Sequence, residues 1–206
     1  MTLQAVLVEV DPSWYATRDE TVDPALLRNA AGRPLGRRML ARWLSPSAGP
    51  LLAPNADGEV GIAAARWPLA RLGPLLRDIG ILAYAPAIRA EVRREPLRRL
   101  KDAVGNGYLL ALDQTVWDGK VDGGTSAGLT MSLAAALAGD QGRDVHLHAL
   151  FEAQGRAELR VWAGKRDPGL AAWVAMTRPA DVPAAAHLPE KAMLRVFTHH
   201  ETRAVA

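Results

Sequence analysis

The clearest structural pattern in the sequence lies at residues 69–82, Leu-Ala-Arg-Leu-Gly-Pro-Leu-Leu-Arg-Asp-Ile-Gly-Ile-Leu. Its large apolar residues recur at three- and four-residue spacing, at Leu69, Leu72, Leu76, Ile79 and Leu82. Such spacing places them on one face of an amphipathic helix. The stretch therefore predicts a helix with a buried apolar face, and Pro86 restarts the pattern as the first-turn proline of a second helix.

Further helices are predicted on both sides of this stretch. Asp23-Pro24 combines an N-cap residue with a proline at the first helical position. Pro96 opens a helix that Gly105-Asn106-Gly107 closes, and residues 129–138 form an Ala-rich helix. Residues 144–163 fit either a helix or strands, and we favour a helix.

The expected fold is mainly α, a single helical domain over residues 1–206 with a short N-terminal strand and minor β elements. The strand is predicted at residues 3–10, which are rich in valine and partly alternating. Two segments rich in glycine and polar residues, near 45–61 and 118–128, are predicted to be loop insertions. The C-terminal part is predicted to be a loop until a short helix over residues 190–197.

The composition is that of a globular protein, with 49% hydrophobic and 23% charged residues in a chain of 206. The formal charge is +3, which leaves acidic partners open without indicating one. Because the sequence has no cysteine, disulfides, Cys-ligated zinc sites, iron–sulfur clusters and a cysteine nucleophile are excluded. The first residues lack a basic region and no apolar run reaches about 18 residues, so we expect a cytoplasmic protein without signal peptide or membrane span.

A G-x-S-x-G string at Gly124–Gly128 is the sharpest local motif. In hydrolases this motif places a serine on a tight turn between a strand and a helix, and Ser126 would be that nucleophile. The residues that precede the motif are typical of a turn instead. We therefore favour a helix-capping role for Thr125 or Ser126. The same loop, 118–128, could also bind an anion, although it lacks the lysine of a P-loop.

His146 and His148 lie two residues apart and would face the same side of a strand, where Glu152 could join them as a metal ligand. On a helix the two histidines would diverge. No H-E-x-x-H motif occurs. We expect no metal, no cofactor and no catalytic residues.

The candidate partner-binding residues are arginines and tryptophans. Residues 89–101 carry six basic and two acidic side chains, so this segment could contact nucleic acid, an anionic membrane or an acidic protein, or form a solvated helix face. An acidic protein surface is the preferred partner, because no aromatic stacking unit for nucleic acid accompanies the arginines. The candidate residues are Arg89, Arg93, Arg94, Arg98, Arg99, Trp14 and Trp43.

Three segments together carry a resemblance to a known family. They are Pro12-Ser13-Trp14, the run from Trp67 to Arg89, and residues 97–112 with their Arg-Arg-Leu-Lys and Gly-Asn-Gly-Tyr strings. In these segments the chain resembles the SctK proteins of bacterial type III secretion systems, also called YscK-like or PscK-like. The tail, in which Leu188-Pro189 leads into a short helix, is similar as well.

The resemblance implies a helical, non-enzymatic accessory protein of the sorting platform. Members of that family connect the cytoplasmic domain of the inner-membrane ring protein (SctD-like) to the pod protein (SctQ-like), at the cytoplasmic face of the inner membrane. A nucleic-acid-binding regulator that uses the Arg-rich helix 89–101 is the alternative function, and a small serine hydrolase that uses Ser126 is a second alternative.

Overall fold

A computed structural model describes residues 2–16, 22–54, 58–138, 143–180 and 184–203. Within these ranges the chain is mainly helical and forms no strand, which confirms the predicted mainly α fold. The α-helices are α1 (Leu3–Glu9), α2 (Pro24–Ala31), α3 (Pro34–Leu52), α4 (Ile62–Arg66), α5 (Leu69–Ala83), α6 (Ala85–Ala90), α7 (Arg94–Val104), α8 (Gly107–Leu112), α9 (Gly123–Ala138), α10 (Arg143–Gly164), α11 (Pro168–Met176) and α12 (Glu190–Arg203). A short 3-10 helix spans Pro12–Tyr15.

The chain divides into two compact units. Unit 1 comprises residues 1–72 and 160–182, and unit 2 comprises residues 73–159 and 183–206. In unit 1, α11 packs against α3 and α4. Its core includes Trp173, which is fully buried and donates its indole N–H to the backbone carbonyl of Trp67 at 2.8 Å. Burial of this large ring together with its one polar atom ties α11 to the segment before α5.

The predicted strand at residues 3–10 is wrong, because this segment forms α1. The Thr2 side chain accepts a hydrogen bond from the amide of Ala5 and so caps the helix. Val6, Leu7 and Val10 are buried, and their spacing of one, three and four residues fits one helix face. Tertiary burial thus outweighs the β preference of the valines.

The predicted loop at 45–61 is wrong over its first half, because α3 continues to Leu52. Leu44, Ala48 and Leu51 are buried at helical spacing, so packing sustains the helix in spite of two internal prolines. Residues 53–54 and 58–61 are not helical, and residues 55–57 lie outside the described part of the chain. Asp23 caps α2 as predicted, since its carboxylate accepts the amide hydrogen of Ala25 at 2.8 Å.

In unit 2, α5 and α10 approach each other through glycines. A Cβ atom added at Gly155 would overlap the backbone carbonyl of Leu76, and one added at Gly80 would overlap that of Phe151. The two helix backbones therefore lie closer than side chains would permit. Four of the five residues of the α5 face predicted from the sequence are buried, with Leu72, Leu76, Ile79 and Leu82 at 1% exposure or less. The fifth, Leu69, begins the helix and is 42% exposed.

The structure confirms one prediction for the second half of the chain and corrects two others. Residues 144–163 are helical, which confirms the favoured assignment and excludes a strand at 158–163. The predicted loop at 118–128 ends early because α9 begins at Gly123, where the carboxylate of Asp122 accepts the amide hydrogen of Thr125 at 2.9 Å. The cap is therefore Asp122, neither Thr125 nor Ser126. The expected loop before Pro189 contains α11.

No helix in the described ranges is both long and apolar enough to cross a membrane.

Candidate functional site

The predicted basic segment, residues 89–101, comprises the end of α6, a short loop and most of α7 in unit 2. Arg93 precedes the helix in an extended conformation, and Pro96 lies in its first turn, where a missing amide hydrogen is tolerated. Leu100 is fully buried and holds α7 to the unit. The helix ends at Gly105, whose φ of 54° is in the range that favours glycine.

Burial of one face leaves the opposite face of α7 to solvent. Arg94, Arg98 and Lys101 are exposed on this face, and Arg93 is exposed immediately before the helix. Glu95 and Asp102 lie on the same exposed part of the helix, and Arg98 is 3.8 Å from the carboxylate of Asp102. We name the exposed arginines Arg93, Arg94 and Arg98 the α7 basic surface. Its charge is net positive but interrupted by carboxylates.

Two of the predicted arginines do not belong to this surface. Arg89 donates to three backbone carbonyls, those of Ala111 at 2.7 Å, Asp118 at 2.8 Å and Trp117 at 2.9 Å. Its guanidinium therefore holds together the segment between α8 and α9. Arg99 donates to the carbonyl of Leu137 at 3.1 Å, at the end of α9. Both side chains serve the fold of unit 2.

Glu91 and Arg93 form a close ion pair at the edge of the α7 basic surface. The Arg93 guanidinium donates to both carboxylate oxygens of Glu91, at 2.9 and 2.6 Å, and the Arg93 amide donates to one of them at 2.9 Å. These bonds lower the pKa of Glu91 from 4.5 to about 2. The pair fixes the turn between α6 and α7.

Removal of the Arg93 side chain should return the pKa of Glu91 toward 4.5. In the wild-type protein the lowered pKa means that the pair stabilises the turn above pH 4.5 and loses this effect as the pH falls toward 2. An NMR titration of the Glu91 carboxyl carbon in wild type and Arg93→Ala measures the shift. An unchanged, low pKa in the variant would mean that another group holds the carboxylate charged.

A small apolar groove lies beside the α7 basic surface. It encloses about 250 Å³ and is lined by Ala87, Ala90, Glu91, Val92, Arg93, Thr130, Leu133 and Ala134, from α6, α9 and the loop before α7. Val92 is 83% exposed at its rim. The groove and the arginines together offer a surface for an apolar side chain flanked by carboxylates. The sequence did not indicate the groove, because α6 and α9 are far apart in the chain.

The two predicted tryptophans differ in their surroundings. Trp14 is half-buried in unit 1 and donates its indole N–H to the carbonyl of Arg178 at 2.8 Å, so it holds the 3-10 helix to the segment after α11. Trp43 lies on α3 and is 53% exposed. Of the two, Trp43 is available to a partner.

The motifs considered for chemistry are placed on helices. Ser126 lies in the first turns of α9 and no strand precedes it in the described residues 113–122, so the strand-to-helix turn of the hydrolase motif is absent. His146 and His148 lie on α10, where they diverge, and the His148 ring contacts the carbonyl of Ala103 at 2.9 Å. The described residues hold no group of three or more side chains arranged to bind a metal.

A cleft and a buried polar network in unit 2 are not predicted from the sequence. The cleft encloses about 610 Å³ and includes Arg195, His199 and Arg203, which follow one another along α12. In the network, the Glu158 carboxylate is 2% exposed and accepts the amide hydrogens of His187 at 2.9 Å and Leu188 at 3.0 Å. Both features join residues from distant parts of the chain. No short-range pattern in the sequence predicts the cleft or the network.

Comparison with known proteins yields no relative: no protein-family model, curated protein or solved structure matches this chain.

Proposed function

We propose that this chain is a non-enzymatic adaptor in the sorting platform of a type III secretion system. In this role it links the cytoplasmic domain of the inner-membrane ring protein (SctD-like) to the pod protein (SctQ-like), at the cytoplasmic face of the inner membrane. Two findings support the proposal. One is the sequence resemblance, and the other is the α7 basic surface beside the groove of α6 and α9.

The chemistry of this surface favours a protein partner over nucleic acid. Glu95 and Asp102 are exposed among the arginines, and their carboxylates would repel a phosphate backbone. An acidic protein segment can avoid them, because its carboxylates need to meet only Arg93, Arg94 and Arg98. Its apolar side chains can enter the groove beside Val92. Charged residues around an apolar pocket are typical of protein interfaces.

The α7 basic surface is tested by the triple charge reversal Arg93→Glu, Arg94→Glu and Arg98→Glu. We expect this variant to bind the purified ring-protein domain or the purified pod protein at least about tenfold more weakly, because attraction becomes repulsion at three positions. Binding is measured by isothermal titration calorimetry with each partner from the same host.

A second triple variant controls for net charge. Lys165, Lys191 and Arg203 are exposed and do not belong to the α7 basic surface, since they lie on or next to the ends of α10 and α12. Their reversal to glutamate changes the net charge by the same amount, and we expect wild-type affinity. Equal binding by wild type and the α7 variant, for both partners, would overturn the role of this surface.

The nucleic-acid alternative makes a different prediction for the same proteins. A regulator that used the arginines would bind DNA or RNA with an affinity that falls steeply with salt. We expect no such binding at physiological salt. Salt-dependent DNA binding by wild type that the α7 variant loses, without binding to either platform protein, would replace the adaptor function by the regulator function.

A further inference from the structure

Helix α3 in unit 1 carries two apolar faces. The first consists of Leu44, Ala48 and Leu51, which are buried in the unit. The second is exposed and recurs at spacings of four, four, three and four residues: Leu35, Met39, Trp43, Pro46 and Pro50. We name these five residues the α3 stripe. One apolar face of α3 therefore packs in the core of unit 1, and the other is exposed to solvent.

Helical geometry places the α3 stripe in one line. At about 100° per residue its five members fall within roughly 80° of one another, on the side opposite the buried face. The line is about 22 Å long, from the rise of 1.5 Å per residue. Leu35 is 69% exposed, Met39 65% and Trp43 53%, so three successive turns of α3 each expose a large apolar side chain to solvent. A contiguous exposed apolar surface of this kind marks an interaction site.

Charge around the α3 stripe restricts what can cover it. Arg38 and Arg42 are exposed and lie next to the stripe on α3. The whole segment 22–54 contains five arginines and only one acidic residue, Asp23. A partner that buries Met39 and Trp43 must therefore place carboxylates, and no arginines or lysines, against Arg38 and Arg42.

We propose that α3 docks through the α3 stripe into an apolar groove of a partner protein whose rim carries aspartate or glutamate beside Arg38 and Arg42. This is recognition of a helix in a groove, read by anchors at three- and four-residue spacing. The inference rests on the proposed function, since the partner is the ring protein or the pod protein. It assigns the second contact surface of the adaptor to unit 1, while the α7 basic surface belongs to unit 2.

The double variant Met39→Asp and Trp43→Asp tests the docking. We expect its affinity for one of the two purified partners to fall about 30-fold or more, because two central anchors are replaced by charges that face carboxylates. Binding of the other partner should be unchanged. A second variant, Arg38→Glu and Arg42→Glu, should weaken the same partner about fivefold to tenfold and reduce the salt dependence of binding.

Two exposed apolar residues on other helices provide the matched control. Val161 on α10 is 57% exposed and Met131 on α9 is 72% exposed. Their replacement by aspartate should leave both affinities within about twofold of wild type. Because the substituted side chains in test and control variants are exposed, circular dichroism and thermal unfolding should match wild type in both.

The outcomes separate this inference from the proposed function. If wild type binds a platform protein and the α3 variant binds both partners equally well, docking through α3 is overturned and the adaptor function stands. If wild type binds neither protein, both proposals fall. A wild-type dimer in analytical ultracentrifugation that the α3 variant loses would make a second copy of this chain the occupant. If wild type binds vesicles of anionic phospholipid and the α3 variant does not, the occupant of the α3 stripe is a membrane. Either of these two results overturns docking into a groove of a partner protein.

Discussion

Gly155→Ala is expected to destabilise the protein by about 1–3 kcal/mol or more, although alanine is the better helix former. Gly155 lies inside α10, and its Cα approaches α5 so closely that a Cβ would overlap the carbonyl of Leu76. The same methyl would come within 3.1 Å of the Gly80 amide nitrogen. Backbone atoms cannot rotate away as a flexible side chain can, so the two helices would have to separate and lose buried contacts.

Urea denaturation followed by circular dichroism measures the free energy of unfolding of this variant. The control is Gly128→Ala in the interior of α9, where an added Cβ has no atom within 4 Å. That change should stabilise the protein by up to about 1 kcal/mol, the ordinary helix preference of alanine over glycine. Opposite signs for the two variants would establish the close approach of α5 and α10. A stabilised Gly155→Ala variant would contradict it.

Glu158→Gln is expected to destabilise the protein by about 2–4 kcal/mol, although the two side chains have nearly the same shape. The Glu158 carboxylate is buried, and each of its oxygens accepts a backbone amide hydrogen, one from His187 and one from Leu188. Gln154 donates its side-chain amide to one of the same oxygens at 2.9 Å. An amide at position 158 has only one acceptor oxygen, so its NH2 group would face a donor.

Glu152→Gln is the matched control on the same helix. Its carboxylate is partly exposed and 3.3 Å from the guanidinium of Arg77, so loss of the charge should cost less than about 1 kcal/mol. Differential scanning calorimetry of the two variants gives the comparison. Hydrogen exchange at the amides of His187 and Leu188 should accelerate in Glu158→Gln alone. Slow exchange there, with wild-type stability, would contradict the bonds to Glu158.

The proposed contact surfaces were only partly accessible to sequence reasoning. The basic residues near α7 and the tryptophan at 43 are visible in the sequence, because they are charged or large residues in recognisable positions. The sequence does not show which of these side chains bind within the protein and which are exposed. Arg89 and Arg98 belong to the same basic run, yet Arg89 binds three carbonyls and Arg98 is exposed. The partners of Arg89 lie 22 to 29 residues away, and no local pattern encodes such distances.

The helical class of the protein and its strongest helix follow from local sequence patterns. Leu72, Leu76, Ile79 and Leu82 of α5 are buried as their spacing predicts. Asp23-Pro24 and Pro86 mark the starts of α2 and α6, and Gly105 marks the end of α7. These signals are local, since a hydrophobic period and a cap depend on residues within a few positions of one another.

The fold of the ambiguous segments, and which surfaces remain exposed, depend on tertiary packing. Residues 3–9 and 45–52 are helical because their apolar side chains are buried at helical spacing in unit 1, in spite of β-branched residues and prolines. The α3 stripe is exposed because the opposite face of the same helix supplies the core. Burial depends on contacts between residues far apart in the chain. Propensity costs tenths of a kcal/mol for an ordinary residue and about 3 kcal/mol for an internal proline, and burial of several apolar side chains at about 1.5–3 kcal/mol each outweighs it.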